Sequence, residues 1–400
     1  MKHRVYLLIV SIVLSALILL LLPAPKKHQA PVVNVPSPTT PPATQPTTSP
    51  TEPVEPGVVR FYCCDPAWAE VYGQLAAEYT AQTGTAVVVQ TADGKPCQTA
   101  LEEYMQGPNP PTVLCMHGRE DFAGWQDVLL DLQDTEVASK LCSSDFGMWS
   151  NGQMLAVAVD VEGFGLLLNA QVLSKTHTRG DINSLSSLKT AVQILKNSTV
   201  KVFGLVSFAD GEVLRLLESG TAGDIREFLD IYRNHCDWEN DAVQQFLKGN
   251  SVFYLGDTDD YALFADQPDS TLQIRDLDIL PTFTAGAMQY ICKTAWGVNG
   301  NVRPEDLEVT LDFLGWLVTA GENTAAPVDR LQVVTPFADA AWHSNHLENK
   351  LLTYMRTEAA VVQWEWDNRN NSQLLNALKK YIAEGTEENW AALAALLPNK

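Results

Sequence analysis

The spacing of apolar positions along this chain switches repeatedly between a period of two and a period near 3.6. Residues 58–63 alternate as a strand, and Trp68, Val71, Leu75 and Tyr79 then recur at helical spacing over 67–80. A β-branched stretch over 85–90 predicts a second strand, and a helix over 99–105 leads through GPNPP to a strand over 112–116. The second half repeats the alternation. Helices are predicted over 184–196, 212–218, 224–233, 242–248 and 304–319, strands over 201–207, 251–255, 279–283 and 296–299, and a helical C-terminal part. This order predicts an α/β fold in which a parallel or mixed sheet is covered by helices. Ligands in such sheets bind beyond the carboxyl ends of strands, which singles out CCDPAW at 63–68 and HGREDF at 117–122.

One stretch breaks the simple alternation. In NGQMLAVAVDVEGFGLLLNAQVL, two apolar runs at 155–161 and 164–168 are separated by Glu162, Gly163 and Gly165. A carboxylate inside buried sheet is costly unless it is paired or wet. The stretch therefore reads either as a bulge in a core or as a crossing between two lobes.

Length and charge narrow the picture. At 400 residues the chain is long enough for two domains, and 27 Lys+Arg against 48 Asp+Glu give a net charge of −21. Such a surface repels nucleic acid and anionic lipid headgroups, so no nucleic-acid partner is expected. The start, MKHR followed by an apolar run over 5–22, reads as a signal anchor or transmembrane helix over 1–22. Small residues at −1 and −3 are missing before a cleavage point, since Ala24 follows Leu22 by two places and Ala30 follows His28. No Cys stands close behind for a lipid. Residues 23–57, rich in Pro, Thr and Ser, read as a disordered linker that holds the remainder clear of the membrane at the extracellular face.

Recognisable catalytic chemistry is missing. No nucleophile elbow, HExxH, Walker A loop or kinase signature occurs. Asp257, Asp259 and Asp260 begin like a calcium loop, but Ala262 stands where that loop requires Gly. The seven cysteines lack CxxC spacing and read as small buried hydrophobes with one disulfide among them; the odd count leaves at least one thiol. No cofactor, metal ligand or catalytic residue is assigned, and the chain is expected not to be an enzyme.

Several segments in order resemble the extracellular solute-binding proteins of family 1, the maltodextrin-binding-like receptors of ABC importers. The 151–173 stretch is similar to that family's crossover at Asn151, Gly152, Val161, Glu162, Asn169 and Leu173. FLKGNSVFYLGDTDDYALF, DILPTF with TAWGVNG, and PTVLCMHGREDFAGWQDVLLDL resemble further segments, so the likeness covers nearly all of 58–400. The family's proline before the hinge is absent here, where Ala158 and Val159 stand, and the Tyr of its YN pair is Leu168.

The resemblance implies a two-lobed periplasmic-binding-protein-like type II fold with hinge-linked lobes. The first lobe would comprise 58–160 and a return segment over 281–335, the second 161–280 and C-terminal helices over 336–400. On this reading 160–164 is a hinge, its glycines absorb backbone rotation, and Glu162 faces a wet cleft. It also implies a monomer that captures a small solute, a sugar or oligosaccharide, and docks on an ABC permease. A membrane-anchored sensor without transport and a surface carbohydrate-active enzyme are the alternatives. A sugar site needs rings to cover C–H faces and polar groups to match hydroxyls. The candidates by position are Asp65, Trp68, Arg119, Asp121, Glu162, Phe164, Phe208, Asp257, Tyr261, Trp364 and Trp366, while Trp125 and Trp316 fall in core patterns.

Overall fold

The computed structural model describes residues 57–174, 181–196, 201–203, 221–235, 242–265, 274–281, 287–322, 324–343, 345–357, 359–364 and 372–397. The predicted anchor, all of the linker but its last residue, the predicted helix over 212–218, Phe208 and Trp366 lie outside them. No described helix is long and apolar enough to cross a membrane.

Among the described residues ten strands build one mixed sheet: β1 (Val58–Tyr62), β2 (Ala86–Gln90), β3 (Val113–His117), β4 (Gly147–Ser150), β5 (Gln153–Asn169), β6 (Lys201–Phe203), β7 (Ser251–Asp257), β8 (Leu277–Leu280), β9 (Met288–Val298) and β10 (Ala360–Trp364). Their order is β2-β1-β3-β9-β5-β7-β6, with β10 against β9 and both β4 and β8 against β5. β2, β1 and β3 run parallel, and β9 and β5 enter antiparallel. The predicted mixed α/β sheet is thus present.

Helix α1 (Pro66–Thr83) shows how local sequence sets an element. Asp65 Oδ1 accepts from the Ala67 and Trp68 amides at 2.8 and 3.0 Å, Pro66 fits the first turn, and Gly84 closes the helix at φ 80°. Its buried face, Tyr72, Leu75, Ala76 and Tyr79, packs on β1, with Phe61 and Tyr72 ring centroids 4.2 Å apart. Helices α2 (Cys97–Gln106), α3 (Gly118–Trp125), α4 (Leu185–Lys196), α5 (Ala222–His235), α6 (Pro304–Leu317), α7 (His346–Thr357), α8 (Ser372–Glu384) and α9 (Glu387–Ala394) follow. Asp306 in the first turn of α6 is 1% exposed. It accepts from the Val58 amide at 2.8 Å and pairs with Arg60 at 2.6 Å and Arg303 at 2.8 Å, which fixes α6 against the start of β1.

The two apolar runs at 155–161 and 164–168 are one strand, β5, with register shifts on either side of Asp160. The register shifts are those of a bulge. In its second half Phe164, Leu166 and Leu168 enter one hydrophobic core with α4, α5, α8 and α9. Leu167 enters the other core, which includes α7 and the β1–β3 region. The glycines serve close approach and not left-handed backbone. A Cβ on Gly163 would stand 2.4 Å from Leu351 Cδ2, and one on Gly165 would stand 2.1 Å from the Leu280 carbonyl oxygen.

The C-terminal part is not wholly helical, because β10 pairs in parallel with β9 from Ala360↔Met288 to Trp364↔Cys292. Adjacent Val361 and Val362 favour that extended ribbon. A disulfide joins Cys64 to Cys97 with a Cα–Cα distance of 5.6 Å, tying the chain after β1 to the start of α2. Cys63, Cys115 and Cys292 are buried, and Cys236 lies outside the described residues.

Candidate functional site

Two strands end on β9 from opposite directions. β3 is antiparallel to β9 and finishes with His117 opposite Thr294. β10 is parallel to β9 and finishes with Trp364 opposite Cys292. Their carboxyl ends converge on Lys293, where β5 also lies alongside with Asp160 opposite Thr294 and Val161 opposite Cys292. A sheet whose strand ends meet head to head leaves a crevice there, and such crevices are where α/β sheets hold ligands.

Lys293 is the electrostatic centre of this junction. Its ammonium lies 3.6 Å from Glu162 Oε2 and also pairs with Asp259, just after β7. Burial alone would push the ammonium down, but the carboxylates of Glu162, Asp259 and Asp160 outweigh it and hold the group above its ordinary value. Glu162 is only 4% exposed, so it does not face open water; it is buried and neutralised. The backbone beside Glu162 is fixed as well. The Gly163 amide donates to Thr258 Oγ1 at 3.1 Å and the Val161 amide to the Val334 carbonyl at 3.0 Å. On the α7 side, His343 Nδ1 lies 3.1 Å from Glu348 Oε2. Burial raises the Glu348 carboxyl and the charge of Asp259 adds to that, against the opposing effects of His343 and Asn345.

Around β3 the two loops anticipated from strand ends do meet. The rings of Trp68 and His117 are 6.1 Å apart, His117 Nδ1 is 3.1 Å from Thr294 Oγ1, and the His117 amide donates to Asp121 Oδ2 at 3.0 Å. Arg119 lies on α3 beside a groove of about 760 Å³, which Phe122, Trp149, Val362 and Gln363 also line. Trp149 is 43% exposed, and its Nε1 donates to the Ser144 carbonyl at 3.0 Å, so its ring is held while its face stays available.

Other candidates have local structural duties. Asp65 caps α1, and Asp257 accepts from the Asp259 and Asp260 amides at 3.0 and 3.2 Å as the cap of the turn after β7. That capping use explains the acidic run without a cation. No described group of three or more His, Cys, Asp or Glu could hold a metal ion. Phe164 is buried in the core beside Asp257, and Tyr261 packs partly buried against the larger core. Trp364 occupies the end of β10, and Phe208 and Trp366 lie outside the described residues. His117, Trp149, Lys293 and Thr294 were not selected from the sequence. Lys293 alone carried a usable signal, a single cation in the apolar run YICKTAWG.

A family model described as bacterial extracellular solute-binding protein matches residues 74–353. The chain belongs to that family. Among solved structures, apo RafE from Streptococcus pneumoniae aligns with this solute-binding protein at a TM-score of 0.63 and 12% identity, over 87% of this chain and 98% of that one. A family 1 extracellular solute-binding protein from Bifidobacterium longum subsp. infantis aligns at 0.62 and 14% identity, over 86% and 98%. The solute receptor AcbH aligns at 0.64 and 14% identity, over 85% and 96%. At these identities the likeness shows the fold. No curated protein matches the sequence significantly.

Proposed function

We propose that this solute-binding protein captures a sugar or oligosaccharide in a cleft between two lobes and passes it to an ABC importer without covalent chemistry. The lobes are 58–160 with 281–335, and 161–280 with 336–400, in the type II arrangement, and β5 and β9 cross between them. The observation that carries this reading is the convergence of the β3 and β10 carboxyl ends on Lys293, beside a groove with an exposed Trp. Sugar as the solute class is supported by the neighbours, since RafE has been solved with raffinose and AcbH prefers b-D-galactopyranose.

In this reading Trp68 and Trp149 offer ring faces, and Trp364, Trp366, Phe208 and Tyr261 add to them as the lobes close. Arg119, Asp121 and His117 match hydroxyls, each buried polar group needing a partner, while Glu162 acts through its pair with Lys293. Asp65, Asp257 and Phe164 act through the caps and core they hold. Asp160, Glu162, Asp259 and Glu348 outnumber Lys293 and disfavour anionic solutes. Capture is a shift from open to closed populations driven by contacts that exist only when closed. The anchor over 1–22 holds the protein, a monomer, at the extracellular face.

Thermal unfolding of the purified chain against mono- and oligosaccharides, amino acids and polyamines tests this. A ligand at about 100 times its dissociation constant adds roughly 2.7 kcal/mol, a rise of about 2–4 °C. A rise confined to one sugar class is expected. A folded protein that responds to no sugar, or only to a charged solute, overturns the reading.

A further inference from the structure

Cys63 and Cys64 are adjacent, yet they face different neighbours. Cys64 is bonded to Cys97 at the start of α2. Cys63 lies one residue beyond the parallel pairs Phe61↔Val113 and Tyr62↔Leu114, which places it beside Cys115 of β3. Both are free thiols in the structure and both are buried, at 0% and 3% exposure. Continuing that register puts them on the same face of the sheet, because residues paired across parallel strands point to one side. Neighbouring strands are about 4.7–4.9 Å apart, within the Cα–Cα window of about 4.4–6.8 Å that a disulfide spans.

We propose that Cys63 and Cys115 close a second disulfide beside Cys64–Cys97, so that the end of β1 is bonded to β3 on one side and to α2 on the other. The bond sits beneath the loops that carry Trp68 and His117 and fixes the spacing of those two rings. Closure forms one S–S bond from two thiols and passes two electrons and two protons to an external disulfide, which departs as two thiols. Because both side chains are buried in the folded chain, the exchange takes place during folding.

The test refolds the full chain from reductant and denaturant with oxidised glutathione, labels it with N-ethylmaleimide under denaturing conditions, and cleaves it with a glutamyl endopeptidase. Glu102 and Glu103 separate Cys97 from Cys115 in that digest. Cys142, Cys236 and Cys292 are expected to take the label, and Cys63, Cys64, Cys97 and Cys115 to resist it until reduced. In C63A, Cys115 becomes labelled while Cys97 stays protected; in C64A the pattern reverses. Labelling of both Cys63 and Cys115 in the unsubstituted chain, whether or not Cys64 and Cys97 are protected, overturns the proposal, and this arm does not depend on either variant folding.

Discussion

Lys293 Nζ lies 3.6 Å from Glu162 Oε2 across the β5–β9 pair, and the carboxylate is 4% exposed while the Lys side chain is 30% exposed. The pair neutralises Glu162, which with Asp160 is one of two acidic side chains in the otherwise apolar β5. Lys293→Met therefore leaves a buried charge without its nearest partner. The expected loss is somewhat below the roughly 3–5 kcal/mol typical of breaking a fully buried pair, because Lys293 retains solvent. Urea denaturation checks it. Adding Glu162→Gln to Lys293→Met should recover part of the loss, and equal losses for the single and double variants would show that the pair is not the cause.

Tyr62 gives a prediction at alkaline pH. Its hydroxyl donates to the Cys97 carbonyl at 2.6 Å. Burial first, then the charge of Asp121, push its pKa from 10.0 up to about 12. A raised folded pKa means that the folded state keeps its proton longer, so this contribution is complete below pH 10.0 and is lost as pH rises towards about 12. Stability should fall across that window in the parent chain and fall less in Tyr62→Phe, which at neutral pH loses only about 1 kcal/mol for one hydrogen bond. Parallel slopes would rule out Tyr62 as the source.

Much of the architecture is legible because period and cap chemistry agree. Asp65, Pro66 and Gly84 bracket α1, and strand ends pointed to the loops that bring Trp68 beside His117. The site was legible only in pieces. Glu162 was visible as an anomaly, but its partner lies 131 residues away on β9, and only the sheet register brings the two together. Trp149 sits in a short strand with no periodic signal, and β10 was absorbed into a helical forecast because VVQW is too short to declare itself without β9 beside it. Gly163 and Gly165 read as rotation points from the sequence, and the structure adds that a Cβ at either would meet a neighbouring atom.

Acid should act through Asp306. Its burial works to raise the carboxyl, but the hydrogen bonds from Arg303, Arg60 and the Val58 amide outweigh that and hold it well below its ordinary 3.8. A depressed folded pKa gives stability that is present above 3.8 and is lost as pH falls below it. Asp306→Asn should lower stability at neutral pH and flatten the acid limb. A pH series of denaturation midpoints reads both effects, and an acid limb as steep as the parent's would place the sensitivity elsewhere.

Gly163 and Gly165 separate two kinds of crowding. In Gly163→Ala the new methyl meets Leu351 Cδ2 at 2.4 Å, a side-chain terminus on α7 that a smaller residue removes. In Gly165→Ala it meets the Leu280 carbonyl oxygen at 2.1 Å, backbone of β8 that pairs with β5 and has no rotamer to change. Overpacking of this kind costs about 1–3 kcal/mol, and the backbone clash belongs at the upper end. Leu351→Ala alone should cost about 2–5 kcal/mol for the cavity it leaves. Combined with Gly163→Ala it should cost less than the sum of the two, because the new methyl enters that space. Combined with Gly165→Ala it should be additive, since Leu351 is not among the atoms nearest that methyl. Denaturation of the three single and two double variants gives both coupling energies, and a coupling at Gly165 as large as that at Gly163 would refute the steric assignment.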